Sequence, residues 1–327
     1  MKKCLVVYNP NSGKYNKEVT LPKIEKILNE YDYSVIIEKT KYKGDATSIV
    51  ANIDKCDLVV SIGGDGTFNE VMTGNFMRKD RIVLCHLPSG TTNDVGAMWG
   101  YGKNILNNLK LALNGKVKRI DICTINDKPF VYSAGFGKFM NIPYETPREL
   151  KKRIGHLAYI REGARDFFRK VKLYDITYEV DNEKYRGLFS FALITNANRV
   201  AGINNFYKEI KLDDNKFEVL LCNITKLKDI IKTLYFFALY DASKIPGFYF
   251  YQTDNIKIKF NSPLKKPLCI DGESFDDMSG SYNIKIDHDV YVLMPSKNVN
   301  NLFVNDKKRT IMILFIIVSF YLNLNLC

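Results

Sequence analysis

Residues 57–67 read DLVVSIGGDGT, an apolar run followed by three glycines within four residues. A continuous apolar run is typical of a strand that is buried on both faces of a parallel sheet. Glycines directly after such a strand let backbone amides approach a phosphate, and a helix N-terminus behind them adds partial positive charge. The same strand-and-turn unit recurs on both sides of this stretch.

Strand-like and helix-like stretches alternate over the first 120 residues. Strands are predicted at 4–8, 33–37, 57–62 and 82–88, and helices at about 19–31, at 45–53 and from about Asn69 and Asn93 onward. Alternation of this kind predicts a parallel sheet with helices on both faces.

After residue 116 the pattern changes to short segments rich in β-branched and aromatic residues, separated by turn residues. This predicts a mainly antiparallel β domain, interrupted by two helical patches near 147–171 and 226–242. We therefore predict an α/β domain at 1–120, a β-sandwich domain at 121–300 and a basic, then apolar tail at 301–327.

Composition narrows the class of partner. The net charge of +12 favours anionic lipid or phosphorylated ligands. Nucleic acid is not expected as a partner, because no stretch combines dense Lys and Arg with an RNA-binding aromatic signature or finger-like Cys and His spacing. Seven cysteines without a CxxC pair and without a preceding secretory signal predict reduced thiols in a cytoplasmic protein.

Two further strand-and-turn units resemble phosphate sites. Residues 9–14 read NPNSGK after the first strand; they are not a Walker A loop, because the leading glycine is absent and Tyr15 follows Lys14. Residues 87–94 read LPSGTTND, where Asn93 is a candidate helix cap. Because parallel strands end at one edge of a sheet, the three loops predict a single ligand crevice.

The β half carries one more candidate, Asp271-Gly272-Glu273, at the end of an apolar strand. An Asp-Gly pair is common in hairpin turns. Its functional interpretation is a carboxylate that acts as a general base at the cleft, with Glu273 orienting a substrate or metal. Spacing alone leaves both interpretations open.

Together these motifs resemble the diacylglycerol kinase catalytic-domain family, and most closely its small bacterial soluble lipid kinases. The motifs that carry the resemblance are NPNSGK at 9–14, GGDGTFNE at 63–70, PSGTTNDVG at 88–96, SAGFG at 133–137 and DGE at 271–273. The resemblance implies an N-terminal α/β domain, a C-terminal β-sandwich and ATP bound between them.

The resemblance also implies the site residues. The nucleotide-binding residues would be Asn9, Pro10, Asn11, Ser12, Gly13, Thr40, Gly63, Gly64, Asp65, Gly66, Thr67, Asn69, Glu70, Thr91 and Asn93. The catalytic residues would be Asp271 as general base, Glu273, Asp65 and Lys14. The acidic network around a catalytic Mg²⁺ would be Asp65, Asp94 and Asp121, and a structural Mg²⁺ loop would use Lys211, Asp214 and Lys216. In that loop Asn215 stands where the family commonly has glycine, and Asn also tolerates a positive φ.

The expected reaction is transfer of the γ-phosphoryl group of ATP to a lipid hydroxyl, with diacylglycerol as the expected acceptor and phosphatidic acid as the product. The expected partner is a lipid substrate at a membrane surface, and a homodimer is one assembly that the sequence leaves open. We expect a cytoplasmic protein that is peripheral at the inner face of the membrane.

Two segments bear on that location and are open to two interpretations. The basic stretch 148–172 is either a solvated helix face or a face that docks on anionic membrane. The apolar run 311–322 is either part of the packed body or a shallow membrane contact.

Two other functions compete with the lipid kinase. A kinase of a soluble metabolite such as NAD shares GGDGT, but would not be expected to carry NPxSGK and the late DGE. A nucleotide- or lipid-binding regulator without turnover would not need Asp65, Asp94 and Asp271 together.

Overall fold

The structure, a computed structural model, describes residues 1–13, 17–146, 161–163, 165–166, 169–200, 203–204, 207, 210–226, 228–229, 247–296 and 299–304. Several predicted features therefore lie wholly or mostly outside the described residues: Lys14, the helical patches near 147–171 and 226–242, the basic stretch 148–172 and the apolar run 311–322. No helix in the described part of the chain is both long and apolar enough to cross a membrane.

The first half is an α/β unit built on four parallel strands. Its elements are β1 (Lys2–Tyr8), α1 (Lys17–Glu30), β2 (Tyr33–Lys39), α2 (Asp45–Asn52), β3 (Leu58–Gly63), α3 (Asp65–Phe76), β4 (Val83–Pro88), α4 (Asp94–Met98) and α5 (Ile105–Leu113). The strand order β2-β1-β3-β4 brings the carboxyl ends of β1, β3 and β4 side by side. All six residues of β3 are buried, as its continuous apolar sequence predicts.

Two helices of this unit differ from the sequence-based prediction. The prediction that a helix begins near Asn69 is wrong by four residues, because α3 begins at Asp65, within the glycine turn. Gly64 adopts an extended conformation and its carbonyl accepts hydrogen bonds from the Thr67 and Phe68 amides, so the first turn forms despite Gly66. The sequence analysis missed α5, although Asn104 caps it by accepting a hydrogen bond from the Asn107 amide.

The second half is a β unit whose described strands form two large sheets and one short two-stranded sheet. Its elements are β5 (Lys116–Ile125), β6 (Lys128–Phe130), β7 (Ser133–Gly137), α6 (Ile142–Glu145), β8 (Tyr174–Val180), β9 (Glu183–Phe189), β10 (Phe191–Thr195), β11 (Arg199–Val200), β12 (Ile203–Asn204), β13 (Phe217–Cys222), β14 (Phe248–Thr253), β15 (Asn255–Phe260), β16 (Leu268–Ile270), β17 (Glu273–Phe275) and β18 (Ser281–Met294). One sheet has the antiparallel order β14-β13-β10-β7-β16-β17. Apolar residues from both sheets share one buried cluster, as in a β-sandwich.

Strand β18 joins the two units. It is a single strand of 14 residues, and its register with β5 shifts between Asp287 and Val290. The shift is a β-bulge, which lets one strand continue through a change of direction. Val292 pairs in parallel with Leu84 of β4, so the α/β sheet continues into the β unit. Since β5 also crosses residue 120, the domain division at that position stays a prediction.

The SAGFG motif of β7 has a packing role. A Cβ atom on Gly135 would lie 2.2 Å from the Ala192 carbonyl oxygen, and one on Gly137 would lie 2.2 Å from that of Ser190. Gly137 also has a φ of +94°, which disfavours any other residue. These glycines let β7 lie close to β10, and β7 in turn positions β16 and the DGE segment.

Candidate active site

The first loop, residues 9–13, lies against the second through the side chain of Asn9. Asn9 Oδ1 accepts a hydrogen bond of 2.8 Å from the Asn11 amide, which closes the turn. Asn9 Nδ2 donates to Thr67 Oγ1 at 3.2 Å, and Ser12 Oγ lies 2.9 Å from Ser89 Oγ of the third loop. The three loops that the sequence predicted to meet are therefore joined side chain to side chain.

The second and third loops touch at two glycines. A Cβ atom on Gly90 would lie 2.6 Å from Gly64 Cα, which is closer than real Cβ contacts allow. The Ser89 amide also donates a hydrogen bond of 2.7 Å to the Gly63 carbonyl. At Gly63 itself, a Cβ would lie 2.4 Å from the Thr67 side chain. The close packing of the two loops therefore requires glycine at these positions, whether or not a ligand is bound there.

Asn93 closes the third loop and does not cap the helix that follows it. Its φ is 53°, its Oδ1 accepts a 2.6 Å hydrogen bond from the Gly90 amide, and its Nδ2 donates to the Gly90 carbonyl at 3.1 Å. The free amides of α4 bond instead to Asp65: the Asp94 amide donates to Oδ2 at 2.9 Å and the Val95 amide to Oδ1 at 3.2 Å. Asp65 thus caps α4 from another helix.

Asp65 and Asp94 form an acidic pair in which Asp94 is buried and Asp65 is half-buried. Burial and the neighbouring charge of Asp94 raise the pKa of Asp65 to about 7, against the lowering effect of its two backbone hydrogen bonds. Asp94, only 2% exposed, accepts a hydrogen bond of 3.0 Å from Nε of Arg199, with which it forms an ion pair. The buried Tyr132 also has a raised pKa, because of its burial and of the nearby charges of Asp65, Asp94 and Asp271.

Asp121 contacts a different loop, residues 211–216. Its Oδ2 accepts a 2.7 Å hydrogen bond from the amide of Asn215, which has the positive φ of 63° that a glycine would favour. Asp214 accepts from the Lys216 amide at 3.2 Å. Burial, with the charges of Asp121 and Asp213 as smaller causes, raises the pKa of Asp214. Within the described ranges, no three His, Cys, Asp or Glu side chains converge as a metal site.

The DGE segment forms a tight hairpin between β16 and β17. Asp271 and Gly272 both have positive φ, 47° and 79°, as in a type I′ turn, so the hairpin interpretation is confirmed. The Asp271 carboxylate faces inward and is 6% exposed. It accepts four hydrogen bonds, from the amides of Val131, Tyr132 and Ser133 and from Asn69 Nδ2, at 2.6–3.0 Å. Burial raises its pKa and these donors oppose the rise.

One predicted nucleotide residue, Glu70, holds the start of α2. The Glu70 carboxylate accepts hydrogen bonds from the amides of Gly44 and Ala46, at 2.9 and 3.3 Å. Thr40 is buried beside them, and its amide bonds to the Tyr8 carbonyl. Burial raises the pKa of Glu70, while these two amides and Lys43 lower it. Glu70 therefore stabilises the wall of the site.

The loops, the start of α2 and the DGE hairpin enclose one cleft of about 2260 Å³. Asp271 and Glu273 line this cleft together with most of the predicted nucleotide residues, which are Asn9, Pro10, Asn11, Ser12, Gly13, Thr40, Gly64, Gly66, Thr67, Asn69, Glu70, Thr91 and Asn93. Asp65 and Asp94 lie behind these loops.

Three residues of the site were not found from sequence. Arg199 pairs with Asp94, Ser89 bonds both neighbouring loops, and Lys43 pairs with Glu273. Ser89 lies inside the PSGTTND motif, so the motif itself was an available signal. Arg199 and Lys43 lie far in sequence from their partners, and no local sequence pattern predicts that either residue belongs to the site.

Comparisons with known proteins agree with this geometry. Residues 3–125 match the family model of the diacylglycerol kinase catalytic domain. A protein of Staphylococcus saprophyticus named diacylglycerol kinase is 28% identical over 300 residues, covering 91% of this chain and 97% of that protein. One of Bacillus subtilis with the same name is 28% identical over 308 residues, covering 92% and 99%.

Solved structures share the fold. A crystal structure described as a diacylglycerol kinase from Bacillus anthracis superposes with a TM-score of 0.73 at 23% identity and covers 90% of this chain and 97% of that one. At that identity the superposition shows a common fold: an α/β unit followed by antiparallel sheets.

Proposed function

We propose that this chain, whose residues 3–125 match the family model of the diacylglycerol kinase catalytic domain, is a lipid kinase that transfers the γ-phosphoryl group of ATP to the hydroxyl of diacylglycerol, giving phosphatidic acid. One observation carries the proposal. The three strand-end loops and the DGE hairpin, which are separated by up to 260 residues in sequence, line one cleft.

The cleft supplies what phosphoryl transfer requires. Catalysis of this reaction consists mainly of positioning and of neutralising charge on the phosphates. In our proposal the phosphates lie along residues 9–13 and 64–67, where the glycines leave backbone amides accessible and α3 begins. Thr40, Thr91 and Glu70 border the remaining nucleotide. Lys14 stays a prediction, since it lies outside the described residues.

Mg²⁺ fits the acidic residues by their electrostatics. Burial and, after it, the charge of Asp94 raise the pKa of Asp65 to about 7, and a nearby cation would offset the repulsion between the two carboxylates. Each Asp65 oxygen already accepts a backbone amide, so we propose that Asp65 and Asp94 hold the ion through water. Magnesium in kinases bridges the phosphates and neutralises the developing charge.

A second magnesium ion is proposed at residues 211–216. Burial, with the charges of Asp121 and Asp213 as smaller causes, raises the pKa of Asp214, and a cation would offset the repulsion among these carboxylates. Asp214 would bind through its side chain, and Lys211 and Lys216 through their carbonyls. The positive φ of Asn215 preserves the turn that this arrangement needs.

The acceptor hydroxyl must lose its proton as the new bond forms, and two carboxylates of the hairpin are near. The family resemblance implies Asp271. Its two oxygens already accept four hydrogen bonds, which fill the lone-pair positions of a carboxylate. Glu273 is half-exposed in the cleft, and its Oε1 has no hydrogen-bond partner among the described residues. We therefore propose Glu273 as the proton acceptor and Asp271 as the residue that fixes the hairpin.

The substitution Glu273→Gln tests this assignment. Glu273→Gln keeps the shape of the side chain but cannot accept a proton, so kcat should fall about 10²–10⁴-fold with little change in KM for ATP. Thermal unfolding should be unchanged, because the side chain is half-exposed. A Glu273→Gln protein with full kcat would mean that Asp271 accepts the proton.

The substrate itself is tested by transfer of labelled phosphate from ATP to diacylglycerol vesicles, with NAD in a parallel reaction. Product from diacylglycerol and none from NAD is expected. Transfer to NAD alone would favour the metabolite kinase, and binding of ATP without transfer to any lipid in an extract would favour the regulator. Location at the inner face of the membrane, and assembly as a homodimer, stay predictions.

A further inference from the structure

An ion pair spans the mouth of the cleft. Lys43, in the loop between β2 and α2, places Nζ 3.0 Å from Oε2 of Glu273 in β17. The two residues are 230 positions apart and come from the two different units. Their side chains are 65% and 50% exposed, so the pair is open to solvent and ions.

The backbone on the Lys43 side is held firmly. Asp45 Oδ2 accepts a 2.7 Å hydrogen bond from the Lys41 amide, and Glu70 Oε1 accepts one of 2.9 Å from the Gly44 amide. Gly44 has a φ of +88°, a conformation that other residues rarely adopt. These bonds on both sides of Lys43 fix the direction in which its side chain leaves the loop.

The backbone on the Glu273 side is fixed as well. Glu273 pairs with Ile270 directly after the two-residue turn, and Asp271 holds that turn through its four hydrogen bonds. Glu273 Oε1 lies 4.0 Å from the position that a Cβ on Gly66 would occupy. The carboxylate thus lies over the glycine loop, with Oε2 on Lys43 and Oε1 directed to the cleft.

Stability does not explain such a pair. An exposed ion pair typically contributes only about 0–1 kcal/mol, because solvent and salt screen it. Its effect on geometry is larger, since a glutamate side chain otherwise samples several rotamers. An ion pair with a lysine that leaves a fixed stretch of backbone favours the Glu273 rotamer that places the other oxygen over the loop.

We propose that Lys43 is a positioning residue that holds the Glu273 carboxylate over the Gly66 loop for proton transfer. The proposal rests on the lipid kinase function and on the role of Glu273 proposed above. The competing role is direct contact between Lys43 and a nucleotide phosphate, which would make it a binding residue.

Steady-state kinetics with diacylglycerol and ATP distinguish these roles. Lys43→Ala should lower kcat about two- to fivefold with KM for ATP unchanged, a loss that corresponds to a weak exposed pair. Lys43→Arg should restore kcat, because a guanidinium can also reach the carboxylate. Lys39→Ala is the matched control: Lys39 is exposed on β2 nearby, has no ion pair in the described part of the chain, and should behave as wild type.

A double-mutant cycle gives the decisive result. If Lys43 acts through Glu273, adding Lys43→Ala to Glu273→Gln should cause no further loss of kcat. Affinity for a non-hydrolysable ATP analogue, measured by calorimetry, should be the same with and without Lys43 in both backgrounds. A matching loss of analogue affinity in both backgrounds would overturn the proposal in favour of phosphate binding.

The remaining outcomes separate this proposal from the function on which it rests. Lys43→Ala with wild-type kcat in an enzyme that phosphorylates diacylglycerol would overturn the positioning role alone. Wild-type protein that phosphorylates no lipid would overturn the proposed function, and the role of Lys43 with it.

Discussion

The side-chain amide of Asn69 donates a hydrogen bond of 2.6 Å to Oδ2 of Asp271, 202 residues further along the chain. Asn69 lies in α3, the helix that begins at the glycine turn of the α/β unit, and Asp271 begins the hairpin turn of the β unit. The bond therefore sets the position of the DGE hairpin relative to the GGDG loop. Glu70, the next residue, accepts hydrogen bonds from the start of α2. One turn of α3 therefore holds both the DGE hairpin and the start of α2 in position around the cleft.

The first prediction concerns Asp271→Asn. Sequence alone suggests a mild change, because Asn-Gly also forms type I′ turns. The structure predicts a destabilised protein instead, since an amide NH₂ would face donors that now bond to oxygen. If Asn69 flips to accept from the new NH₂, the Val131 amide still loses its partner. One unsatisfied buried donor costs about 1–3 kcal/mol, which thermal or urea unfolding would detect.

Asn69→Ala is the comparison for that experiment. It removes one donor and leaves the three backbone donors of Asp271 satisfied, so it should destabilise the protein by only about 0.5–1.5 kcal/mol. Asp271→Asn with wild-type stability and a kcat reduced a thousandfold would mean that Asp271, and not Glu273, accepts the proton.

The second prediction uses the contact between Gly90 and Gly64. Gly90→Ala places a methyl group 2.6 Å from Gly64 Cα, so the two loops must separate. Displacement of about 1 Å in a catalytic site can cost about 10²-fold in rate, and we expect a loss of that order in kcat/KM. Gly102→Ala is the control, because its methyl group would meet nothing nearer than Asn108 Oδ1 at 4.0 Å. Equal activity of the two variants would contradict this account of the loops.

The third prediction concerns Asp65→Ala. Loss of the cap on α4 should cost about 0.5–2 kcal/mol, and loss of the acidic pair with Asp94 should abolish turnover in a protein that remains folded. Circular dichroism and phosphate transfer measure the two effects. Asp57→Ala is the matched control, because Asp57 also accepts a backbone amide, from Lys3 at 2.7 Å, at a site remote from the cleft. Near wild-type turnover by folded Asp65→Ala protein would remove Asp65 from the proposed magnesium site.

The sequence predicted the α/β unit well because its signals are local. The buried strands β1, β3 and β4 are continuous apolar runs, and each is followed by a turn with glycine or asparagine. The family motifs then placed the loop residues and the DGE hairpin in one cleft, which the structure confirms.

What the sequence did not predict depends on partners that are distant along the chain. Asn93 looked like the cap of α4, but its side chain returns to Gly90 while Asp65 supplies the cap. Asp271 looked like a free base, but its oxygens accept four donors from two units. Spacing identifies which residues are polar at a site; only the packing shows which of their atoms are already bonded.

His86, in the sheet beneath the loops, is a buried histidine whose protonation can be tested. It lies on β4, is fully buried, and stacks on Phe68 with ring centroids 4.7 Å apart. Neither ring nitrogen has a hydrogen-bond partner among the described residues, and burial alone lowers its pKa to about 3. The unfolded chain would hold this histidine near its ordinary pKa of 6.5.

The last prediction is therefore a pH-dependent loss of stability that His86 causes. As the pH falls below 6.5, His86 is protonated in the unfolded chain but stays neutral in the folded protein down to about pH 3. The unfolded state is therefore favoured over that interval. At 1.36 kcal/mol per unit, the loss is about 2 kcal/mol at pH 5. His86→Phe retains the stacking but cannot bind a proton, so its urea unfolding should lack this component between pH 7 and pH 5. Parallel pH profiles for the two proteins would show that His86 reaches solvent or a partner in the folded state.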